Sequence, residues 1–329
     1  MKKTLIASAV AAATLTSTAA FAKESIDPIK LGVFGNIQLA HFWNETDLNG
    51  AKSGSHEFAD GGSTLGFTHE HMISEGLTGF LKMEFEFDAD DKNSSKPNGP
   101  GLSETDETYI GVKGDFGSVQ IGSDDTVYEQ FINITDTSEQ IGLGANLTTI
   151  GEGDNAQYVG TFDAIKVGAT YKIDGDSTTT RGTQLAAAFE TEEFYVAAAY
   201  SMASDTNYGN NKGQDAIGIA AAMMMGDLTL QAQYETLDES ESGQKDGGDY
   251  MGLQGLYNMG ATTFALGYGI YGTDADGATD DDQSTIYLQA LHNVSDNMYV
   301  YIEAAQSDGY DNVKDQDDTA TAIGATYYF

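Results

Sequence analysis

Leu228-Thr-Leu-Gln-Ala-Gln-Tyr-Glu-Thr236 places Leu228, Leu230, Ala232 and Tyr234 on one side of an extended chain and Thr229, Gln231, Gln233 and Glu235 on the other. The same two-residue period recurs upstream. From Leu77 to Asp88 the apolar set is Leu77, Leu81, Met83, Phe85 and Phe87, opposed by Thr78, Lys82, Glu84, Glu86 and Asp88. Ile165, Val167, Ala169, Tyr171 and Ile173 alternate with Lys166, Gly168, Thr170 and Lys172. Each segment is a strand with one greasy and one wet face. A soluble sandwich also alternates, but its strands are usually shorter; these run to about ten residues, the length a tilted strand needs to cross a bilayer.

The connections extend the argument. Tight turns fall at Ser74-Glu75-Gly76, Lys113-Gly114-Asp115, Phe162-Asp163, Thr191-Glu192, Gly226-Asp227, Met259-Gly260 and Val294-Ser295-Asp296. Long polar connections lie between them, at 44–56, 88–104, 122–154, 174–182, 202–214, 237–249, 272–283 and 307–317. Short and long connections in strict alternation predict an all-β, transmembrane antiparallel barrel of about sixteen strands, with both termini on the short-turn side. Pro28, Pro97 and Pro100 fall at a strand start or in loops, as a complete ladder requires. The last strand alternates through Thr321, Ile323, Ala325 and Tyr327 to a terminal Phe329, and Gly324, Tyr327 and Phe329 are read as the barrel-assembly signal. Trp43, Phe87, Tyr171, Tyr234 and Tyr271 are expected to form two interfacial girdles.

Residues 1–22 carry Lys2 and Lys3 before an apolar stretch that ends Ala20-Phe21-Ala22, the pattern of a secretory signal peptide. A membrane anchor would need about 20 apolar residues, and Thr14, Thr16, Ser17 and Thr18 interrupt this one. The expected mature domain is therefore 23–329. The chain has no Cys, so disulfides play no part in its stability. A net charge of −36 excludes a nucleic-acid surface and favours cations as partners. Disorder is the other reading of such acidity, but 18 Tyr and 15 Phe set in alternating strands argue against it.

With these features in place the chain resembles the trimeric general porins of enterobacteria, vibrios and their marine relatives, over the whole mature length. The resemblance is carried by Leu31-Gly-Val-Phe-Gly-Asn-Ile-Gln, by Ser63-Thr-Leu-Gly-Phe, by Tyr109-Ile-Gly-Val-Lys-Gly-Asp-Phe-Gly-Ser-Val-Gln-Ile-Gly122 and by the closing Ala325-Thr-Tyr-Tyr-Phe329. It implies a Gram-negative outer-membrane channel for small hydrophilic solutes, a homotrimer, and a third long loop folded into the lumen. It also implies contacts with outer-membrane lipid and lipopolysaccharide, dependence on the barrel-assembly machinery during biogenesis, and no cofactor. The third loop here is the longest and holds Val127, Tyr128, Phe131, Ile132, Ile134, Ile141, Leu143, Leu147 and Ile150, more apolar side chains than a solvated loop carries. A loop lying outside, packed on its neighbours or a partner, is the alternative.

If the loop lies inside, Asp124, Asp125, Glu129, Asp136 and Glu139 are its candidate constriction residues. The family sets such a loop against basic residues on the opposite wall. The matching positions here are Asn36, Thr64 and Asp106, none of them basic, and the single Arg is Arg181. Asn36, Thr64, Lys82, Glu84, Glu86, Asp106, Glu235 and Glu303 are the expected lumen wall, and the excess of carboxylates makes cation preference the physical expectation. A sugar-specific porin is a narrower alternative, with Tyr128, Phe131, Phe34 or Phe42 lining its path, and a plugged adhesion or structural barrel is another. An enzyme such as a barrel phospholipase would need a Ser–His pair on the lipid-facing wall, for which His292 is the candidate. Asp274, Asp276 and Asp280 look weakly like the start of a calcium loop; a solvated acidic face that bridges lipopolysaccharide through divalent ions is the plainer reading. His69 and His71 share a strand face beside a turn, where a polar turn is a simpler reading than a metal pair.

Overall fold

The computed structural model describes residues 31–90, 102–143, 147–148, 150–173, 181–204, 214–238, 247–273, 282–308 and 316–329, with the backbone alone at 103, 104, 204 and 273. The signal segment 1–22 and the acidic triplet Asp274, Asp276 and Asp280 lie outside these residues.

One antiparallel sheet closes on itself. Its strands are β1 (Gly32–Leu48), β2 (Ala51–Asp60), β3 (Ser63–Ser74), β4 (Leu77–Phe87), β5 (Leu102–Gly114) and β6 (Gly117–Ser123). There follow β7 (Asn155–Phe162), β8 (Ile165–Lys172), β9 (Arg181–Glu190), β10 (Phe194–Ser204), β11 (Ala216–Met225) and β12 (Leu228–Leu237). The last are β13 (Gly248–Met259), β14 (Thr262–Thr273), β15 (Asp282–Ser295), β16 (Met298–Asp308) and β17 (Gln316–Tyr328). Apart from β2 and β3, which do not pair with each other, each strand pairs with the next, and β17 returns to β1 from Asn36↔Tyr328 to Leu48↔Gln316. Reciprocal bonds between the backbones of Gly35 and Phe329, at 3.2 and 3.1 Å, fasten the last residue of the chain to the first strand.

The 17 segments make a sixteen-stranded wall, because β2 and β3 both pair with β1 and are halves of one strand. The break is at Gly61-Gly62. Gly62 sits at φ 110°, which a residue with a Cβ rarely adopts. Asp60 covers the kink, its Oδ1 accepting from the N–H groups of Gly62 and Ser63 at 2.9 Å each.

One predicted loop is corrected. The connection expected at 44–56 is a two-residue turn, Asn49-Gly50, with φ 54° and 83°. Asn-Gly with both residues left-handed is the favoured hairpin turn, since its twist matches that of the strands. The polar residues flanking it belong to β1 and β2, which stand tall enough at this point to leave Ala51–Glu57 exposed.

Two-residue alternation holds around the wall. On β12 Thr229, Gln233 and Glu235 face inward and are buried, while Leu230 and Tyr234 face outward and are exposed. Leu185, Val196, Ile219, Leu253, Leu266, Leu288 and Ile302 continue the outer apolar belt. Of the expected girdle residues, Tyr171 and Tyr234 are exposed on the outside. Tyr271 is not among them: it is paired with the buried, inward Tyr250 and so faces the lumen. Trp43 faces outward, but in the upper middle of β1 rather than at its end. Among the described residues no helix is long and apolar enough to cross a membrane; the strands do so.

Leu266→Arg, on the outer belt, is expected to cost about 2–4 kcal/mol. Gln283→Arg, on the inner face of β15, should cost less than about 1 kcal/mol. Urea unfolding of the two variants in lipid vesicles measures both.

Candidate functional site

The segment between β6 and β7 turns into the barrel and occupies its lumen. Thr126 starts α1 (Val127–Ile132) with a reciprocal cap, in which its side chain receives the Glu129 N–H and the Glu129 carboxylate receives the Thr126 N–H at 3.0 Å. The helix presents Val127, Tyr128, Phe131 and Ile132 to the inner wall, where Ala186, Ala188, Ala197, Ala199, Ala216 and Ala220 leave room for them. Further along, Leu143 packs with Leu256, Ala265, Tyr287 and Ala305. Inner-wall glycines give the closest approaches. A Cβ on Gly168 would come within 2.8 Å of Val127, one on Gly218 within 2.8 Å of Ile132, and one on Gly267 within 2.6 Å of Leu143. The apolar residues of the loop are therefore its seat, not its exposed edge.

Polar side chains of the wall hold the loop backbone. The N–H groups of Val127 and Tyr128 donate to Thr170 and Gln184, those of Ile134 and Thr135 to Gln233, and that of Leu147 to Glu235 at 3.1 Å. The tip is gripped hardest. Three successive N–H groups, of Glu139, Gln140 and Ile141, donate to the Glu303 carboxylate at 2.6, 3.0 and 3.1 Å, and Tyr287 and Gln289 donate to it from the wall. Gln140 then reaches the Gly61 carbonyl at 2.8 Å, using an acceptor that the kinked strand leaves free. The loop thus covers the inner faces from β8 round to β16.

Glu235 and Glu303 project inward, but each is only 1% exposed: they meet the loop, not water. Tyr128 and Phe131 are likewise sealed against the wall and line no path, while Phe34 and Phe42 are half-buried on the inner face of β1. Asn36 accepts from the Thr64 N–H at 2.7 Å, tying β1 to β3. Lys82 bridges Glu84 at 2.9 Å and also binds Glu107, with Asp106 adjoining. Glu86 lies on the lumen face of β4 opposite Thr64. Asp124 is held by Gln120 and Gln157, Asp136 accepts from Ser138, and Glu139 accepts from Tyr299 at 2.5 Å and from Gln38 at 3.1 Å.

The resulting charge distribution is one-sided. The four lysines of the described inner wall are all engaged. Lys82 has two carboxylates, Lys113 has Glu70 at 2.6 Å, Lys172 is wrapped by the carbonyls of 151–153, and Lys166 lies 4.6 Å above the Phe131 ring. Carboxylates crowd in return. Asp125, Glu129 and Glu152 bring one oxygen each within 4.8 Å of one another; Glu129 is committed to the helix cap, so the trio reads as concentrated charge rather than a built metal site. Burial, then the negative charge of Glu107, pushes Asp124 up to about 7. Burial, then Glu152, raises Asp125 to about 6, and burial, then Glu303, raises Glu139 to about 6.

The anchoring by Glu303, the glycine and alanine seat, and the inward aromatics Tyr299, Tyr328, Phe80 and Tyr109 are absent from the sequence-based site. Strand parity places all of them on the inner face. Which inner residues the loop covers is not a property of any one strand.

Comparison with known proteins follows the same lines. A model of the family described as Gram-negative porin matches residues 7–312. A monosaccharide porin of a Halomonas species is 32% identical, with 100% of both chains covered. Among solved structures, the anion-selective porin from Comamonas acidovorans superposes with a TM-score of 0.76 at 18% identity, covering 92% of this chain and 100% of the other. The in-vitro folded trimer form of OmpT, an outer membrane protein of Vibrio cholerae, gives 0.69 at 18%, with 92% and 100% covered.

Removing the Glu303 carboxylate strips three half-buried amides of their acceptor. Glu303→Ala is therefore expected to cost the loop tip at least about 2 kcal/mol, seen as a roughly thirty-fold faster hydrogen exchange at the amides of 139–141 while the barrel amides keep their protection.

Proposed function

The chain belongs to the Gram-negative porin family and is an outer-membrane channel, and we propose that it passes small hydrophilic solutes by diffusion with a preference for cations. The single observation that carries the preference is the engagement of all four described inner-wall lysines beside the crowded carboxylates of the loop and of β4–β5. Asp124, Asp125, Glu129, Asp136 and Glu139 are the proposed constriction residues, facing Asn36, Thr64, Lys82, Glu84, Glu86 and Asp106. A lumen of one sign concentrates counter-ions and opposes co-ions.

The protonation state sets the strength of the effect. A carboxyl whose pKa is raised is charged above that value and neutral below it, so Asp124 at about 7 and Asp125 and Glu139 at about 6 lose charge as pH falls. Reversal potentials across a planar bilayer in a KCl gradient are expected to show cation selectivity at pH 8 that declines between pH 8 and pH 5. In the double variant Asp124→Asn, Asp125→Asn, selectivity at pH 8 should be weaker and the pH profile flatter. Anion selectivity at pH 8 overturns the reading.

A homotrimer is part of the proposal. It is supported by the trimer form of the Vibrio cholerae neighbour and by the outer face of β1–β3, where His41, Trp43, His56, His69 and His71 project outward. His41 and His56 stack at 5.7 Å between ring centroids, as do His69 and His71. Lipid solvates imidazoles poorly, and a neighbouring barrel would cover them. The mass of the detergent-solubilised protein by light scattering is expected to be that of three chains; a monomer removes this part of the proposal.

A second reading, preference for small sugars, is supported by the name of the Halomonas relative and by the aromatic side chains of the lumen.

A further inference from the structure

Because the loop covers the inner faces from β8 to β16, and its root at Asp124 lies against Gln120 of β6 and Gln157 of β7, a solute below the constriction has to pass the remaining wall, formed by β17, β1, β3, β4 and β5 with the lower end of β16. That wall is aromatic on its wet side. Tyr328 is 39% exposed, and its ring centroid lies 5.9 Å from that of Tyr299, which lies 6.2 Å from Tyr301 behind it. Phe34 follows on β1, laid over Gly66, and Phe80 and Tyr109 meet edge to face at 6.1 Å on β4 and β5. Folding does not require aromatic rings here, since the opposite face of each strand supplies the apolar belt.

We propose that Tyr328 and Tyr299, with the Glu139 carboxylate above them, form a binding subsite for a neutral polyhydroxylated solute of monosaccharide size. This rests on the sugar reading of the channel and names where in the lumen that selectivity would reside. Glu139 takes the Tyr299 hydroxyl and the Gln38 amide on its Oε2; its Oε1 accepts no hydrogen bond among the described residues. A pyranose ring offers a C–H face for the tyrosines and hydroxyl donors for that oxygen, the combination of an apolar platform and a few fixed polar atoms that small-molecule sites use. An organic cation fits less well, because the neighbouring ring faces are already taken: Lys82 lies 5.3 Å above the Phe34 ring and Lys113 5.7 Å above Phe80.

The test is current through the wild-type channel in a KCl-bathed planar bilayer while D-glucose is titrated on the periplasmic side. Saturable excess noise or partial block is expected. Tyr328→Leu and Glu139→Gln should each raise the half-saturating glucose concentration at least ten-fold, and Tyr328→Phe, which keeps the ring, should stay within three-fold of wild type. A normal KCl current with no response to glucose, an equal response in all variants, or block by tetramethylammonium in place of glucose overturns the subsite and leaves the channel standing. Absence of KCl current removes the channel reading itself.

Discussion

Inside hydrocarbon, an unpaired backbone N–H or C=O costs several kcal/mol, so a chain that crosses by strands has to close its ladder. That closure runs here from β1 to β17 and ends in the paired backbones of Gly35 and Phe329. The rest follows from it. A closed ladder forces strict alternation, alternation separates an oily exterior from a polar interior, and the interior is then available for a loop and for solutes. The strand break at Gly61-Gly62 is repaired locally by Asp60, by Gln38 and by the loop side chain of Gln140.

The loop solves a packing problem inside a wet cavity. Its apolar side chains need a dry surface, and the inner wall provides one by being small-sided: alanines on β9–β11 and glycines at 168, 218 and 267 let the helix and the following segment sit close to the sheet. Its backbone amides need acceptors, and Thr170, Gln184, Gln233, Glu235 and Glu303 supply them. Two carboxylates are thereby spent on structure. The remaining ones, on the loop edge and on β4–β5, stay near the free lumen, and at Asp124 and Asp125 of the loop burial and mutual repulsion already oppose ionisation.

The outer and inner surfaces are each uneven in a way that divides labour. Outside, imidazoles and Trp43 on β1–β3 break a belt that elsewhere is aliphatic and aromatic. Inside, the loop takes the wall from β8 to β16 and leaves an aromatic and acidic strip opposite. The two uneven sectors are carried by the same first strands, so the part of the barrel least suited to lipid is also the part that faces the solute.

The strand pattern was legible from one dimension because its period, two, is a local property: Leu228–Thr236 assigns its own faces without reference to anything else. The number of strands, the inward loop as an apolar-rich segment, and the family likeness followed from such local patterns. Asn49-Gly50 is also legible as a hairpin turn, although the polar residues around it resemble a loop. What sequence could not assign is which inner residues meet water. Glu235 and Glu303 look like pore-lining acids and are instead anchors, Tyr128 and Phe131 look like a sugar path and are instead a seat, and Tyr299 and Tyr328 acquire meaning only beside Glu139, roughly half the chain away. Those distinctions depend on contacts between a loop and strands far apart in sequence, and only closure of the barrel brings them together.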